Sequence, residues 1–272
     1  MKAHEHSPAR RPRIGIFDSG VGGLTVLRAI AALLPGADYF YFGDTARLPY
    51  GTKSQETVAR YAIQAAQFLV EQEIDMLVIG CNTASALALY DIKGAVSVPV
   101  IGVIEPGADT AAAISTSREA VVFATEATVA SHAYQKALQK LGIDSREKAC
   151  PLFVPLVEEG WAEHSVTDQV ARIYLDEAFA GNFRDADVLV LGCTHYPLLR
   201  PVLQRLEPGV KIVDSAESTA RAVAEQLGPH AGEAAQPGMR FMVTDSVEKF
   251  RRLGERFLGR EISAVEHVDL KE

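Results

Sequence analysis

Short apolar runs recur along the whole chain. They predict strands at Arg13–Phe17, Asp38–Phe42, Met76–Ile79, Val98–Val103, Ala120–Ala124, Val188–Leu191, Val210–Val213, Arg240–Val243 and Ala264–Val268. Most are continuously hydrophobic rather than alternating, as in strands covered on both faces. Between them the period becomes that of amphipathic helices. One such helix starts after Ser54 as N-cap, carries Glu56 in its first turn, and sets Val58, Tyr61, Ala62, Ala65, Phe68 and Leu69 at i, i+3, i+4 spacing. Another puts Val170, Ile173, Tyr174 and Ala178 on one stripe. Strand and helix in alternation predict right-handed βαβ units, hence an α/β fold with parallel sheets.

The pattern repeats itself. Asp75-Met-Leu-Val-Ile-Gly-Cys81-Asn-Thr returns in the second half as Asp187-Val-Leu-Val-Leu-Gly-Cys193-Thr-His, alike in the leading Asp, the strand and the closing Gly-Cys. A weaker echo sets Ile14-Gly-Ile-Phe-Asp-Ser-Gly beside Val121-Val-Phe-Ala-Thr-Glu-Ala-Thr. Two similar lobes are the simplest account. Ligands of open parallel sheets bind beyond the carboxyl ends of the strands, so both Gly-Cys turns should open into one cleft between the lobes. The boundary is expected near Glu105-Pro106-Gly107. After Asp214-Ser215 come a helix to Leu227, a Gly/Pro/Ala-rich loop from Gly228 to Gly238, and a strand, helix and strand that could complete either lobe.

Length and composition narrow the class. At 272 residues the chain holds one large domain or two smaller ones, and 48% hydrophobic with 23% charged residues is ordinary for a globular protein. The net charge of −8, with no long block of one sign, argues against a reader of nucleic acid. Cys81, Cys150 and Cys193 form neither a CxxC pair nor a disulfide framework, which fits a reducing compartment. The polar, basic stretch from Met1 to Arg13 leads into a run that Asp18 interrupts, so it offers no signal h-region, and no apolar stretch is long enough to span a membrane. A cytoplasmic protein is expected.

Cys81 and Cys193 each follow a strand and a glycine and precede residues able to cap a helix. A helix N-terminus lowers a thiol's pKa from about 8.5, so this is a place for reactive sulfur. One such cysteine is more often a small hydrophobe in a tight turn; two in matching frames favour function. Thiols facing each other across a cleft suit removal of a proton from one face of a carbon and delivery to the other, which is racemisation or epimerisation. Asp18-Ser19-Gly20-Val21-Gly22-Gly23 lacks the third glycine of a dinucleotide fingerprint, since Thr25 stands there. Its backbone N–H groups could hold a substrate carboxylate, while Asp18 could bias a thiol or simply cap a helix. Asn82, Thr83 and Thr194 would line the cleft as neutral partners for an amino acid. His195, beside Cys193, is a candidate acid or base. Pro49-Tyr50-Gly51 is expected at the rim and Glu158 is the candidate carboxylate of the second lobe, each with an ordinary turn or solvated role as the alternative. Cys150 has no echo and reads as structural. With no PLP-lysine signature and no metal-spaced cluster, no cofactor is expected.

Six motifs in order, Asp18-Ser-Gly-Val-Gly-Gly-Leu-Thr-Val, Pro49-Tyr-Gly-Thr-Lys-Ser, Cys81-Asn-Thr-Ala-Ser, Thr128-Val-Ala-Ser-His-Ala-Tyr134, Pro155-Leu-Val-Glu158 and Gly192-Cys-Thr-His-Tyr-Pro-Leu-Leu199, resemble the bacterial glutamate racemases over nearly the whole chain. The resemblance implies cofactor-independent interconversion of L- and D-glutamate, supplying the D-isomer for peptidoglycan. It implies that Cys81 handles the proton of the D-enantiomer and Cys193 that of the L-enantiomer, assisted by Asp18 and His195, with Glu158 a further acidic residue. Substrate contacts would fall on Asp18, Ser19, Tyr50, Gly51, Asn82, Thr83, Thr194 and His195. The implied fold is two flavodoxin-like lobes related by a pseudo-two-fold: residues 1–104 with 217–272 form the first, and 105–216 the second. One departure is Phe123-Ala124-Thr125, where a glycine is expected before the threonine. Aspartate racemases share the paired cysteines but typically carry Thr-Glu after the second, so Thr194-His195 points to glutamate. A non-catalytic two-lobed amino-acid binder and a thiol redox switch remain as alternatives, and a homodimer stays open.

Overall fold

The computed structural model describes residues 10–228 and 237–270; the stretch up to residue 9 and residues 229–236 of the Gly/Pro/Ala-rich loop lie outside the described residues. The chain runs β1 (Arg13–Asp18), α1 (Leu24–Leu33), β2 (Asp38–Gly43), α2 (Gln55–Val70), β3 (Met76–Ile79), α3 (Asn82–Ala95), β4 (Val100–Gly102), α4 (Ile104–Ile114), β5 (Glu119–Ala124), α5 (Glu126–Ser131), α6 (Ala133–Lys140), β6 (Asp144–Ala149), α7 (Phe153–Glu158), α8 (Ser165–Ala178), β7 (Val188–Gly192), α9 (Arg200–Leu206), β8 (Lys211–Asp214), α10 (Ser215–Leu227), β9 (Met239–Val243), α11 (Val247–Leu258) and β10 (Glu266–His267). No helix among the described residues is long and apolar enough to cross a membrane.

The strands form two wholly parallel sheets, ordered β10-β9-β2-β1-β3-β4 and β6-β5-β7-β8. The order β2-β1-β3-β4 in one matches β6-β5-β7-β8 in the other, which is the duplication legible in the sequence. The central strands are apolar throughout because helices cover both faces: Ile14, Ile16 and Phe17 of β1 and Val188 to Leu191 of β7 have no exposed surface. The leading aspartate of each echo is architectural. Asp75 accepts from the backbone N–H of Arg13 at 2.8 Å, where β1 begins. Asp187 accepts from the N–H and hydroxyl of Thr116 at 2.8 and 2.7 Å, just before β5. Each ties the entry of one central strand to that of its neighbour, at the end of the sheet away from the cysteines.

The helices after the fourth strand of each repeat cross over. α4 leaves β4 of the first sheet but packs on α6, β7 and β8, whereas α10 leaves β8 of the second sheet and packs on α1. β9 and β10 then extend the first sheet.

The structure corrects four details. The strand expected at Val98–Val103 shrinks to β4, since Pro99 has no N–H to pair. That expected at Ala264–Val268 pairs only over Glu266–His267, at the sheet edge. Ile173 lies 55% exposed; the buried stripe of α8 is Ala171, Tyr174, Leu175 and Ala178. Strand β6 has no counterpart among the sequence expectations, because Asp-Ser-Arg-Glu-Lys-Ala carries no apolar signal. As the outer edge of its sheet it is covered by its own long side chains, with Arg146 over the Phe183 ring and Lys148 over that of Tyr174.

Candidate active site

The carboxyl ends of β3 and β7 deliver the two cysteines to one cavity of about 450 Å³. Cys81 caps α3, its sulfur accepting from the Ala84 N–H at 3.5 Å while its thiol donates to the Ser19 hydroxyl at 3.5 Å. The expected lowering of its pKa does not occur. Burial and the neighbouring Asp18 charge outweigh the capping and Ser19 bonds and push the Cys81 thiol up to about 12. Cys193 departs from the echo: a 3-10 turn at Tyr196–Leu199 follows it, so Thr194 and His195 do not cap an α-helix. Gly192 is required by close packing, since a Cβ there would stand 2.9 Å from both the Phe123 carbonyl and the Tyr134 ring. The same glycine, paired in register with Ala124, makes room for the methyl group that departs from the family pattern.

His195 is the hub of the second lobe's contribution. Its Nε2 lies 3.2 Å from Glu158 Oε1, and its ring meets that of Phe257 edge-on at 5.0 Å. Burial alone would push the imidazole down, but bonds to Cys193 and Glu158 prevail and raise it to about 10. In return the His195 bond, against burial and with help from Lys249, holds the Glu158 carboxyl down at about 2. At neutral pH the pair is therefore an imidazolium and a carboxylate, with the cation facing the Cys193 sulfur.

The first lobe supplies the glycine loop and the rim. Asp18 is 1% exposed and sits behind Ser19, which lines the cavity. Its Oδ2 accepts from Gly20 N–H at 2.9 Å; burial raises its pKa against these backbone bonds and the His195 charge. The loop's N–H groups are thus turned partly to Asp18. Gly22 serves contact between the lobes, for a Cβ there would stand 2.2 Å from Thr194 Oγ1. Tyr50 lines the cavity with its ring while its hydroxyl donates to the buried Asp44. Gly51 lets the rim approach the second lobe, where a Cβ would stand 3.1 Å from that of Thr125.

Asn82 and Thr83, besides lining the cavity, bridge the lobes. Tyr134 donates to Asn82 Oδ1 at 2.7 Å, and the Thr83 and Thr125 hydroxyls are 3.0 Å apart. Asn82 Nδ2 and Asp18 Oδ1 are buried with no hydrogen-bond partner among the described residues. The structure thus gathers Cys81, Cys193, Ser19, Tyr50, Gly51, Asn82, Thr83, Glu158, Thr194 and His195 around one cavity, with Asp18 behind it. Among the lining residues that the sequence does not single out for the site are Thr125, Val154, Pro155 and Lys249. Pro155 lies in the quoted Glu158 motif; Lys249, one charge among several on an amphipathic helix, gives no signal. No group of three or more His, Cys, Asp or Glu among the described residues could hold a metal ion.

Known proteins share this sequence and this fold. The model of the Asp/Glu/hydantoin racemase family matches residues 14–223. The glutamate racemase of Koribacter versatilis is 58% identical, covering 96% of this chain and 98% of its own, and that of Geobacter metallireducens 50% identical over 95% and 97%. The crystal structure of glutamate racemase from Francisella tularensis in complex with D-glutamate aligns with a TM-score of 0.87 at 38% identity, covering 96% of this chain and 98% of that one. The family match, the sequence identities and the shared fold show that the chain is an isomerase belonging to the Asp/Glu/hydantoin racemase family, in its glutamate racemase branch.

Proposed function

We propose that the chain interconverts L- and D-glutamate in a cytoplasmic setting, supplying D-glutamate for peptidoglycan, by proton transfer between two cysteines and without a cofactor. The observation that carries this reading is that Cys81 and Cys193, one from each lobe, line a single cavity. With L-glutamate, a Cys193 thiolate takes the α-proton to become a thiol, and Cys81 delivers its own proton to the opposite face and becomes a thiolate. D-glutamate follows the reverse path. Burial keeps Cys81 protonated, as the donor must be, while the His195 imidazolium offers the countercharge that a Cys193 thiolate needs.

The unpartnered Asn82 Nδ2, on a residue of the cavity lining, supports a ligand that carries a hydrogen-bond acceptor such as a carboxylate, because buried polar atoms require partners. Circular dichroism of L-glutamate and of L-aspartate incubated with the purified protein tests the reading. Loss of the glutamate signal to zero is expected. An unchanged glutamate signal beside a decaying aspartate signal, or no decay of either, would refute it.

A further inference from the structure

α11 is a first-lobe element by its packing. Phe250 and Phe257 are buried, the Phe250 ring lies 5.7 Å from that of Tyr41, and a Cβ on Gly254 would stand 2.9 Å from Leu24 Cδ1 of α1. The same helix reaches the second lobe. Lys249 Nζ lies 3.2 Å from Glu158 Oε2, the Phe257 ring packs on His195, and the Arg256 guanidinium lies so close to Gly160 that a Cβ there would stand 2.6 Å from it. These contacts converge on the group formed by Glu158, His195 and Cys193.

We propose that Lys249 is a positioning residue for His195: it holds one oxygen of the Glu158 carboxylate so that the other faces the imidazole, and thereby ties the proton-holding group beside Cys193 to the seating of the first lobe against the second. This inference rests on the racemase reading above for its kinetic arm only. Four charged or titratable groups bear on the ring: Cys193 from its own turn, Glu158 from α7, Asp18 from the end of β1, and Lys249 acting through Glu158. Two effects of Lys249 oppose each other. As a cation it repels the imidazolium, but its side chain is 53% exposed and water screens that repulsion. As a hydrogen-bond donor it fixes a carboxylate that is itself partly exposed and would otherwise turn toward water. The second effect wins because the Glu158 bond acts on the ring directly.

The test uses Lys249→Met and Lys249→Arg with two readouts. In the first, the imidazole of His195 is titrated by NMR, which needs no turnover and so stays informative whatever the substrate proves to be. Its midpoint should fall by about half a pH unit in K249M, the size expected for a partly exposed ion pair, and return in K249R. In the second, elimination is followed from the L- and D-forms of glutamate bearing chloride on the β-carbon, where the thiolate takes the α-proton and chloride leaves with the electron pair. K249M should slow the L-form, served by Cys193, about three- to tenfold and leave the D-form within twofold. A midpoint that stays put or rises in K249M, or one that K249R fails to restore, would overturn the proposal. So would a rise in KM alone, which would make Lys249 a substrate contact.

Discussion

The hydroxyl of Thr25 donates to the backbone carbonyl of Thr194 at 3.1 Å, joining the helix after the glycine loop of one lobe to the turn that carries His195 in the other. The contact is possible because Gly22, just before it, has no side chain. Gly22→Ala would set a methyl 2.6 Å from His195 Nδ1 as well as 2.2 Å from Thr194 Oγ1, both in buried side chains. Overpacking of this kind costs about 1–3 kcal/mol. A lower melting temperature and at least a tenfold loss of kcat are expected, and wild-type kinetics in G22A would show that the lobes give way freely here.

The His195–Glu158 pair sets a pH window. Folding raises His195 from 6.5 to about 10, so its stabilisation is complete below about pH 6.5 and is withdrawn as pH rises through 10. Folding lowers Glu158 from 4.5 to about 2, so its share is complete above about pH 4.5 and lost as pH falls through 2. The melting-temperature gap between wild type and His195→Asn should therefore be widest near pH 5–6 and close toward pH 10. A gap that widened between pH 7 and pH 10 would contradict a charged imidazole.

Replacement of either thiol separates the two proton transfers. L- and D-glutamate have equal free energy, so kcat/KM for racemisation must match in both directions, and only a one-way reaction reveals which sulfur has been lost. Cys81→Ser should abolish racemisation yet still eliminate chloride from the L-analogue, and Cys193→Ser from the D-analogue. His195→Asn should slow the L-analogue more than the D-analogue, by about 10²–10⁴-fold where it serves the transfer. Loss of both eliminations in a folded, substrate-binding cysteine variant would rule out the division of labour.

Asp187 offers a test far from the chemistry. Besides Thr116 it accepts from the Ser115 and Ser117 hydroxyls at 2.8 and 2.7 Å, and these bonds hold its carboxyl well below the usual range against the effect of burial. Asp187→Ala should cost about 1–3 kcal/mol by leaving those donors without their acceptor, less whatever water restores, with kcat unchanged. A fall in kcat without a fall in stability would place the effect in the cleft instead.

Much of this was legible in the chain. Continuous apolar strands gave away the parallel sheets, and the repeated Gly-Cys turn gave away both the duplication and the cavity. Features that escaped have a common cause: they depend on neighbours remote in sequence. β6 is polar because the edge of a sheet can be covered by charged stems lying over Phe183 and Tyr174. Cys81 sits at the expected helix terminus, but only the fold reveals that burial and Asp18 overrule the helix. Lys249 becomes meaningful only once α11 is seen to reach across to Glu158.

The exchange of α4 and α10 ties each lobe covalently into the other. Up to the end of α10 the chain passes from one lobe to the other at two places, between Gly102 and Ile104 and between Asp214 and Ser215. Two covalent crossings, together with the Thr25–Thr194 and Tyr134–Asn82 bonds, fix which sheet each sulfur belongs to. Cys81 follows β3 of the first sheet and Cys193 follows β7 of the second, so each thiol reaches the cavity from its own side.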